Sequence, residues 1–457
     1  MPRKEHDLLG EIEVPDDALW GAQTERARRN FPPTRRTLPP VLVRGFALVK
    51  KAAALASREL GLIDEQAAEA LTAACDEMAG GGLNAQMVVD PLAGGAGTSL
   101  NMNVNEVLAN YANQRLGKPL GSYKPVHPHD TVNLHQSTND SFPTAARVAA
   151  LWELEALEQA IVELQTALQE KECEYADTVM VGRTQLQDAV PLTAGQFFAA
   201  HAEALSRDRW RIFKSIERLK VVNLGGTAIG TGIGAPRQYI FRVIEHLRDL
   251  TGLPLSRAEN PIEATSNQDA VVEADGILTA LASNLLKLAT DLRFLSSSPI
   301  GEIKLPPMQP GSTIMPGKVN PVIAEYAGQI AIEVIAAHQA LTMAVAGGNL
   351  QLSQYFPLAC WHLLDNLFLL KNAVEALSER CIRGIEVDQR QCREHLERSL
   401  SIAAALVPVV GYETAQAAVQ RARRENVSLR EALLAEGATD EEIDRALDPA
   451  QLLRLGD

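Results

Sequence analysis

The chain has 457 residues, with 43 Lys+Arg against 57 Asp+Glu for a net charge of −14, and is about three times as long as an average domain. That acidity excludes the basic footprint of a nucleic-acid binder and the basic amphipathic helix of a membrane-surface protein; an anionic substrate would need positive charge placed locally. Hydrophobic residues make up 46% and aromatics only 5%, so Ala, Leu, Val and Ile fill the core, a composition suited to closely packed helices.

In chain order, MPRKEHDLLGEIEVPDD turns acidic where a secretory leader would turn apolar. Residues 1–135 read as a mixed, mostly helical N-terminal domain, broken by FPP at 31–33, LPP at 38–40 and GGAG at 94–97. Its clearest helix is ALVKKAAALASREL, ended by Gly61. Residues 136–385 read as a bundle of long helices, the first running from about 144 with STND at 137–140 as its N-cap cluster. Leu151, Leu154, Leu157, Ile161, Leu164 and Leu168 recur at three- and four-residue steps, and a similar run covers Ile277, Leu278, Leu281, Leu285, Leu288, Leu292 and Leu295. Stretches 322–347 and 358–380 are again rich in Ala, Ile and Leu. A helix apolar on more than one side must bury its second face, which predicts a homo-oligomer. Residues 386–457 read as a small helical C-terminal domain, with SLRE at 428–431 and TDEE at 439–442 as capping boxes. No uncharged apolar run approaches the length of a membrane span. Five cysteines without CxxC spacing point to a reduced, cytoplasmic setting.

Four polar, glycine-bearing blocks interrupt these helices: GGAGTSLNMNVNE at 94–106, HPHD at 127–130 leading into QSTND at 136–140, GRTQLQD at 182–188, and GSTIMPGKVNP at 311–321 followed by Glu325. Such interruptions are where binding and catalysis concentrate. GGAGTS lacks the Gly-Lys-Ser/Thr ending of a phosphate loop, and GTGIG at 230–234 is one residue short of a dinucleotide fingerprint. His127 and His129 lack a third ligand beside Asp130, so no metal is expected there. Hydroxyls, amides and one lysine suit a small polycarboxylate held by charge-assisted bonds. Each block also has a plain structural reading: Thr98 and Ser137 as helix caps, Thr184 and Gln185 as a loop. Block 311–321, with two glycines and two prolines, is a poor helix and a good mobile loop.

Block 311–321 resembles the GSSxMPxKxNP sequence of the aspartase/fumarase superfamily, and the other blocks resemble that family's remaining blocks in the same order. The similarity runs from GEIEVP at 10–15 to YET at 412–414. It implies a mainly α, three-domain fold whose central long-helix bundle forms the twenty-helix core of a homotetramer. Each active site would be shared by three subunits and act on a small dicarboxylate without cofactor or metal, nucleic acid or membrane. It implies reversible anti-elimination from a succinate derivative through a dianionic aci-carboxylate, with Ser312 on catalytic loop 311–321 as the base. Thr184, Lys318 and Asn320 would hold the carboxylate that takes the charge, and Thr98, Ser137, Thr138 and Thr313 the other. Asn139 and Gln185 would face the leaving group, and Glu325 matches a glutamate that pairs with a histidine in the hydratases.

Within the family, GGAGTS and QSTN lean to the ammonia-lyase form, and Gln185 stands where hydratases carry histidine. L-aspartate to fumarate and ammonia is therefore the first expectation. His129, Thr131, Leu134, His135, Thr313 and LSQYFP at 352–357 depart from the family pattern. These departures keep a nitrite-eliminating, nitrosuccinate-type lyase open as the alternative. A fumarate hydratase is a lesser one. An inactive structural or scaffold relative is also lesser, since Ser312, Lys318 and Asn320 are intact.

Overall fold

The structure, a computed structural model, describes residues 2–452; positions 453–457 of the expected C-terminal domain lie outside the described residues, with Met1. It is mainly helical, as the resemblance implied. A hairpin of β1 (Arg3–Asp7) and β2 (Gly10–Val14) precedes α1 (Ala22–Asn30), α2 (Pro40–Glu59), α3 (Glu65–Ala79) and α4 (Thr98–Arg115). The long α5 (Thr138–Glu174) leads to an antiparallel hairpin, β3 (Val179–Thr184) and β4 (Gln187–Thr193). Then come α6 (Ala194–Leu219), α7 (Arg237–Thr251), α8 (Pro261–Ser266), α9 (Asp269–Leu295), α10 (Val322–Ala346) and α11 (Phe356–Arg380). Short helices follow, among them α12 (Gln389–Arg398), α13 (Ala403–Val410), α14 (Tyr412–Glu425), α15 (Leu429–Ala435) and α16 (Asp440–Ala446).

The chain divides into two compact units. The first comprises residues 1–157, 211–279 and 333–369, the second 158–210, 280–332 and 370–457, so the division falls inside the long helices. The apolar seams read from the sequence are buried: Leu151, Leu154, Leu157, Ile161, Leu164 and Leu168 on α5, and Leu278, Leu281, Leu285, Leu288 and Leu292 on α9. In the first unit, buried Asp275 of α9 accepts bonds from His338 Nδ1 of α10 (2.8 Å) and Asn366 Nδ2 of α11 (2.8 Å). In the second, Asn284 Nδ2 of α9 donates to Asp208 of α6 at 2.7 Å. α10 is long and apolar enough to cross a membrane by length and composition, although Glu325 and Glu333 interrupt it. Ile332 and Met343 on it are exposed.

The predicted helix ends hold. α2 closes on Gly61 (φ +67), with Leu62 N donating to Ser57 O at 2.8 Å. Both capping boxes form, Ser428 with Glu431 and Thr439 with Glu442.

The asparagines of α4 have a structural task beyond capping. Asn103 Oδ1 accepts from Val88 N (2.9 Å) while its Nδ2 donates to Gln86 O (3.0 Å). Asn110 takes Gly121 N and gives to Leu19 O, both at 2.8 Å, and Asn113 exchanges two bonds with the backbone of Val126. Irregular segments lack ladder partners, and these buried amides replace them. Glu106 similarly accepts from Gly21, Gln23 and Thr24 N–H groups, capping α1 from a distance.

Candidate active site

In the first unit, the site begins where α5 begins. Ser137 Oγ accepts from Asn139 N (3.2 Å), and Asp140 Oδ1 accepts in return from Ser137 N (2.9 Å). This reciprocal cap starts the helix at Thr138, several residues before the position near 144 suggested by the apolar pattern. Pro143 has no N–H for the carbonyl four residues back. That carbonyl, on Asn139, accepts from Asn223 Nδ2 at 2.9 Å instead.

Asp140 Oδ2 accepts from Gly225 N (3.1 Å) and Thr227 N (2.9 Å), and Asn139 Nδ2 donates to Ala228 O at 2.7 Å. The glycine-rich segment around 223–234 thus clasps the first turn of α5 rather than cradling a nucleotide. Burial pushes the Asp140 carboxyl up to about 6, against the pull of these N–H groups.

Thr98 is the exposed first residue of α4. The turn before it holds Gly95, Ala96 and Gly97 at positive φ (97°, 56° and 87°), and a Cβ on Gly97 would collide with the Phe142 ring. One turn along α4, Asn101 Nδ2 donates to Thr138 Oγ1 at 3.1 Å. Thr98, three residues before Asn101, lies on the same face of α4, the face that meets Thr138 at the start of α5. His127 Nδ1 spends its lone pair on the N–H groups of His129 and Asp130, each at 3.2 Å, so it acts as a cap.

The second unit carries the other predicted residues on two segments. Thr184 ends β3, and Gln185 (φ +53) and Leu186 (φ +60) form the tip to β4, the mirror-image turn that matches strand twist. Thr184 and Gln185 are exposed. Behind them Arg183 grips buried Glu302 with two bonds, Nη1 at 2.6 Å and Nη2 at 2.7 Å. His395 Nδ1 of α12 contacts the same carboxylate at 2.7 Å. The tip of the hairpin is thus fastened through a buried ion pair to the C-terminal helices.

Loop 311–321 is pinned at its base: Gly311 N donates to Lys318 O (2.7 Å) and Asn320 Nδ2 donates to Gly311 O (2.9 Å). A Cβ on Gly311 would press on the Lys318 carbonyl oxygen and Asn320 N. Ser312 Oγ accepts two backbone N–H bonds, from Met315 (2.9 Å) and Ile314 (3.2 Å). Two preorganised donors on one oxygen stabilise it as an alkoxide, the state in which serine is a base. Thr313 and Lys318 are exposed on the loop, while Asn320 spends one amide hydrogen holding it. Glu325 sits half-buried in the first turn of α10.

Sequence reasoning missed Lys50, Asn133, Glu302 and His395, and gave no role to Gln136 although it opens the block at 136–140. Lys50 had a signal: it falls in the apolar stripe of Phe46, Ala47, Ala53 and Ala54, where a lysine is out of place. Glu302 and His395 lie outside the four blocks, and only the fold brings them to Arg183.

A family model described as lyase matches residues 10–336, and one described as fumarase C C-terminus matches 402–454. An aspartate ammonia-lyase of Bacillus sp. is 40% identical over 458 residues, covering 99% of this chain and 98% of the relative. A fumarate hydratase class II of Bradyrhizobium diazoefficiens is also 40% identical, covering 99% and 97%. Among solved structures, the fumarate lyase:delta crystallin of Brucella melitensis bound to cobalt superposes with a TM-score of 0.95 at 44% identity, covering all of both chains.

Proposed function

The chain belongs to the aspartase/fumarase superfamily of lyases, and from that premise we propose that it converts L-aspartate to fumarate and ammonia. Ser312 removes the proton beside the reacting carboxylate. Its alkoxide is supported by the Met315 and Ile314 N–H groups, and each unit of lowered pKa requires about 1.4 kcal/mol of differential stabilisation. Charge collecting on the carboxylate is taken by Thr184, Lys318 and Asn320, with lysine worth more in a closed, water-poor site. Thr98, Ser137, Thr138 and Thr313 hold the other carboxylate.

The observation that favours ammonia over other leaving groups is the orientation of Asn139. Its amide nitrogen donates one hydrogen to the Ala228 carbonyl, and a carbonyl only accepts, so the bond fixes which end of the amide is nitrogen. Oδ1, an acceptor with no protein donor on it among the described residues, points away from that carbonyl and is the end that suits a cationic group. An acceptor suits an ammonium and opposes the negative oxygens of a nitro group. Gln185 fits the same reading, since an amide can accept from ammonium but cannot act as acid or base toward water.

The two units carry complementary halves of the residue set, and the exposed apolar residues Ile332 and Met343 on α10 call for a covering surface. Both features support a homotetramer with sites shared between subunits.

The test is to supply L-aspartate, nitrosuccinate and malate in turn and follow fumarate by ultraviolet absorbance. Ammonia and fumarate in equal amounts from aspartate support the reading. Turnover of nitrosuccinate or malate with silence on aspartate overturns it in favour of nitrite elimination or hydration.

A further inference from the structure

We propose that Lys50 is a positioning residue for the substrate carboxylate that does not take the charge, acting through Asn133, Asn101 and Thr138. The inference rests on the dicarboxylate reading above and adds a residue outside the four polar blocks.

Lys50 lies in α2, with no exposed surface. Its Nζ donates to Asn133 Oδ1 and Gln136 Oε1, each at 3.0 Å. Asn133 Oδ1 also receives Asn101 Nδ2 and Asn105 Nδ2, each at 3.1 Å. Asn101 Nδ2 donates as well to Thr138 Oγ1. Gln136 Nε2, in turn, ties down the carbonyls of Val132 (2.9 Å) and Leu134 (3.3 Å), fixing the turn that delivers Ser137 and Thr138.

This order of donors decides which way Thr138 points its proton. A hydroxyl has one hydrogen to give. Thr138 Oγ1 already accepts from Asn101, so its own hydrogen is directed elsewhere, as a bond to a carboxylate requires. The ammonium and Asn101 Nδ2 share the Asn133 Oδ1 acceptor, so what passes along the chain is position: Lys50 fixes Asn133, Asn133 fixes Asn101, and Asn101 fixes Thr138. The ammonium also offsets the negative charge of the buried Asp140 carboxylate, behind a face of neutral hydroxyls that is to hold an anion.

A purely structural role explains Lys50 poorly. A buried charge carries a desolvation penalty, and well-packed apolar replacements of buried ionic groups are often neutral or stabilising. Methionine would fill the stripe of α2 without that penalty.

The experiment is a double-mutant cycle on the full chain, titrating succinate, a dicarboxylate with no leaving group, by calorimetry. Lys50→Met and Thr138→Val should each weaken succinate about tenfold, or about 1.4 kcal/mol. The double variant should bind no more than about threefold worse than the weaker single, because both cut one chain. With aspartate, Lys50→Met should raise KM about tenfold while kcat holds within about threefold, the mark of uniform binding. Should Lys50→Met fail to fold, Lys50→Gln, which keeps a donor without the charge, takes its place in the cycle.

Succinate affinity within twofold of wild type in the lysine variant, or additive effects in the double variant, overturns the inference. Wild-type protein that does not bind succinate overturns it together with the dicarboxylate reading. Wild-type protein that binds succinate but leaves aspartate intact defeats the ammonia assignment alone, and the cycle still decides the role of Lys50.

Discussion

Replacing Glu302 by Gln tests whether the ion pair behind the hairpin holds Thr184 and Gln185 in place. The Glu302 carboxylate is fully buried and receives three contacts, two from Arg183 and one from His395, all within 2.7 Å. A glutamine offers one oxygen; placed at the Oε1 position it keeps the Arg183 Nη2 bond and the His395 contact, while its NH₂ faces Arg183 Nη1. One charge-assisted bond is lost and the guanidinium is left buried without a charge partner, costs of about 1.5 kcal/mol each, about 3 kcal/mol in all. That agrees with the roughly 3–5 kcal/mol expected when a buried pair loses one partner. Thr184 directly follows Arg183, so a hairpin freed at this point also loosens one bond to the charge-bearing carboxylate. Such a bond is worth about 1.5–3 kcal/mol, or a drop in kcat/KM of about 10- to 100-fold. The assay pairs urea unfolding followed by circular dichroism with steady-state kinetics on aspartate. Stability within about 0.5 kcal/mol of wild type would refute the buried-pair argument. Full activity in a clearly destabilised variant would refute the link to Thr184 and leave the pair as a staple of the fold.

Other outcomes follow from the same geometry. Lys318→Ala should lower kcat by about 10²–10³-fold, as removal of a transition-state charge partner does, and raise KM; a change in KM alone would mean ordinary ground-state binding. Gly97→Ala forces a side chain onto φ +87° and against the Phe142 ring, costing about 1–2 kcal/mol in conformation and about 1–3 more in overpacking. A thermal midpoint equal to wild type would contradict this. Burial lowers the Lys50 ammonium to about 7, so it carries its charge below that value and loses it above. Asp140, pushed up to about 6, is already ionised there, and burial pushes the Cys75 thiol further up, out of the window. Succinate affinity of the wild type should therefore fall as pH climbs from 7 to 9, and stay flat in Lys50→Met. Parallel profiles in the two proteins would contradict the assignment.

The long helices were legible because their seams repeat at three- and four-residue steps, and burial of Leu151 through Leu168 follows that pattern. The capping boxes of the C-terminal helices were legible for a local reason, since each cap is complete within four residues. The start of α5 was not. Ser137 and Asp140 cap each other, but the apolar rhythm begins only beyond Pro143, so the pattern placed the helix start too late. The asparagines of block 94–106 looked like ligand donors, yet Asn103 serves distant backbone. Nothing in sequence spacing distinguishes an amide that meets a substrate from one that meets a loop. The grip of Glu302 on Arg183 spans 119 positions, and a contact of that range leaves no local trace.

The most direct test of the central claim compares wild type with Ser312→Ala, measuring fumarate release from L-aspartate alongside succinate binding. Turnover in Ser312→Ala should fall by about 10²–10⁴-fold, the usual contribution of a positioned general base, while succinate binds both proteins within about threefold. Comparable fumarate release by the two proteins would contradict the assignment of Ser312 as the base, and with it the elimination mechanism built on loop 311–321.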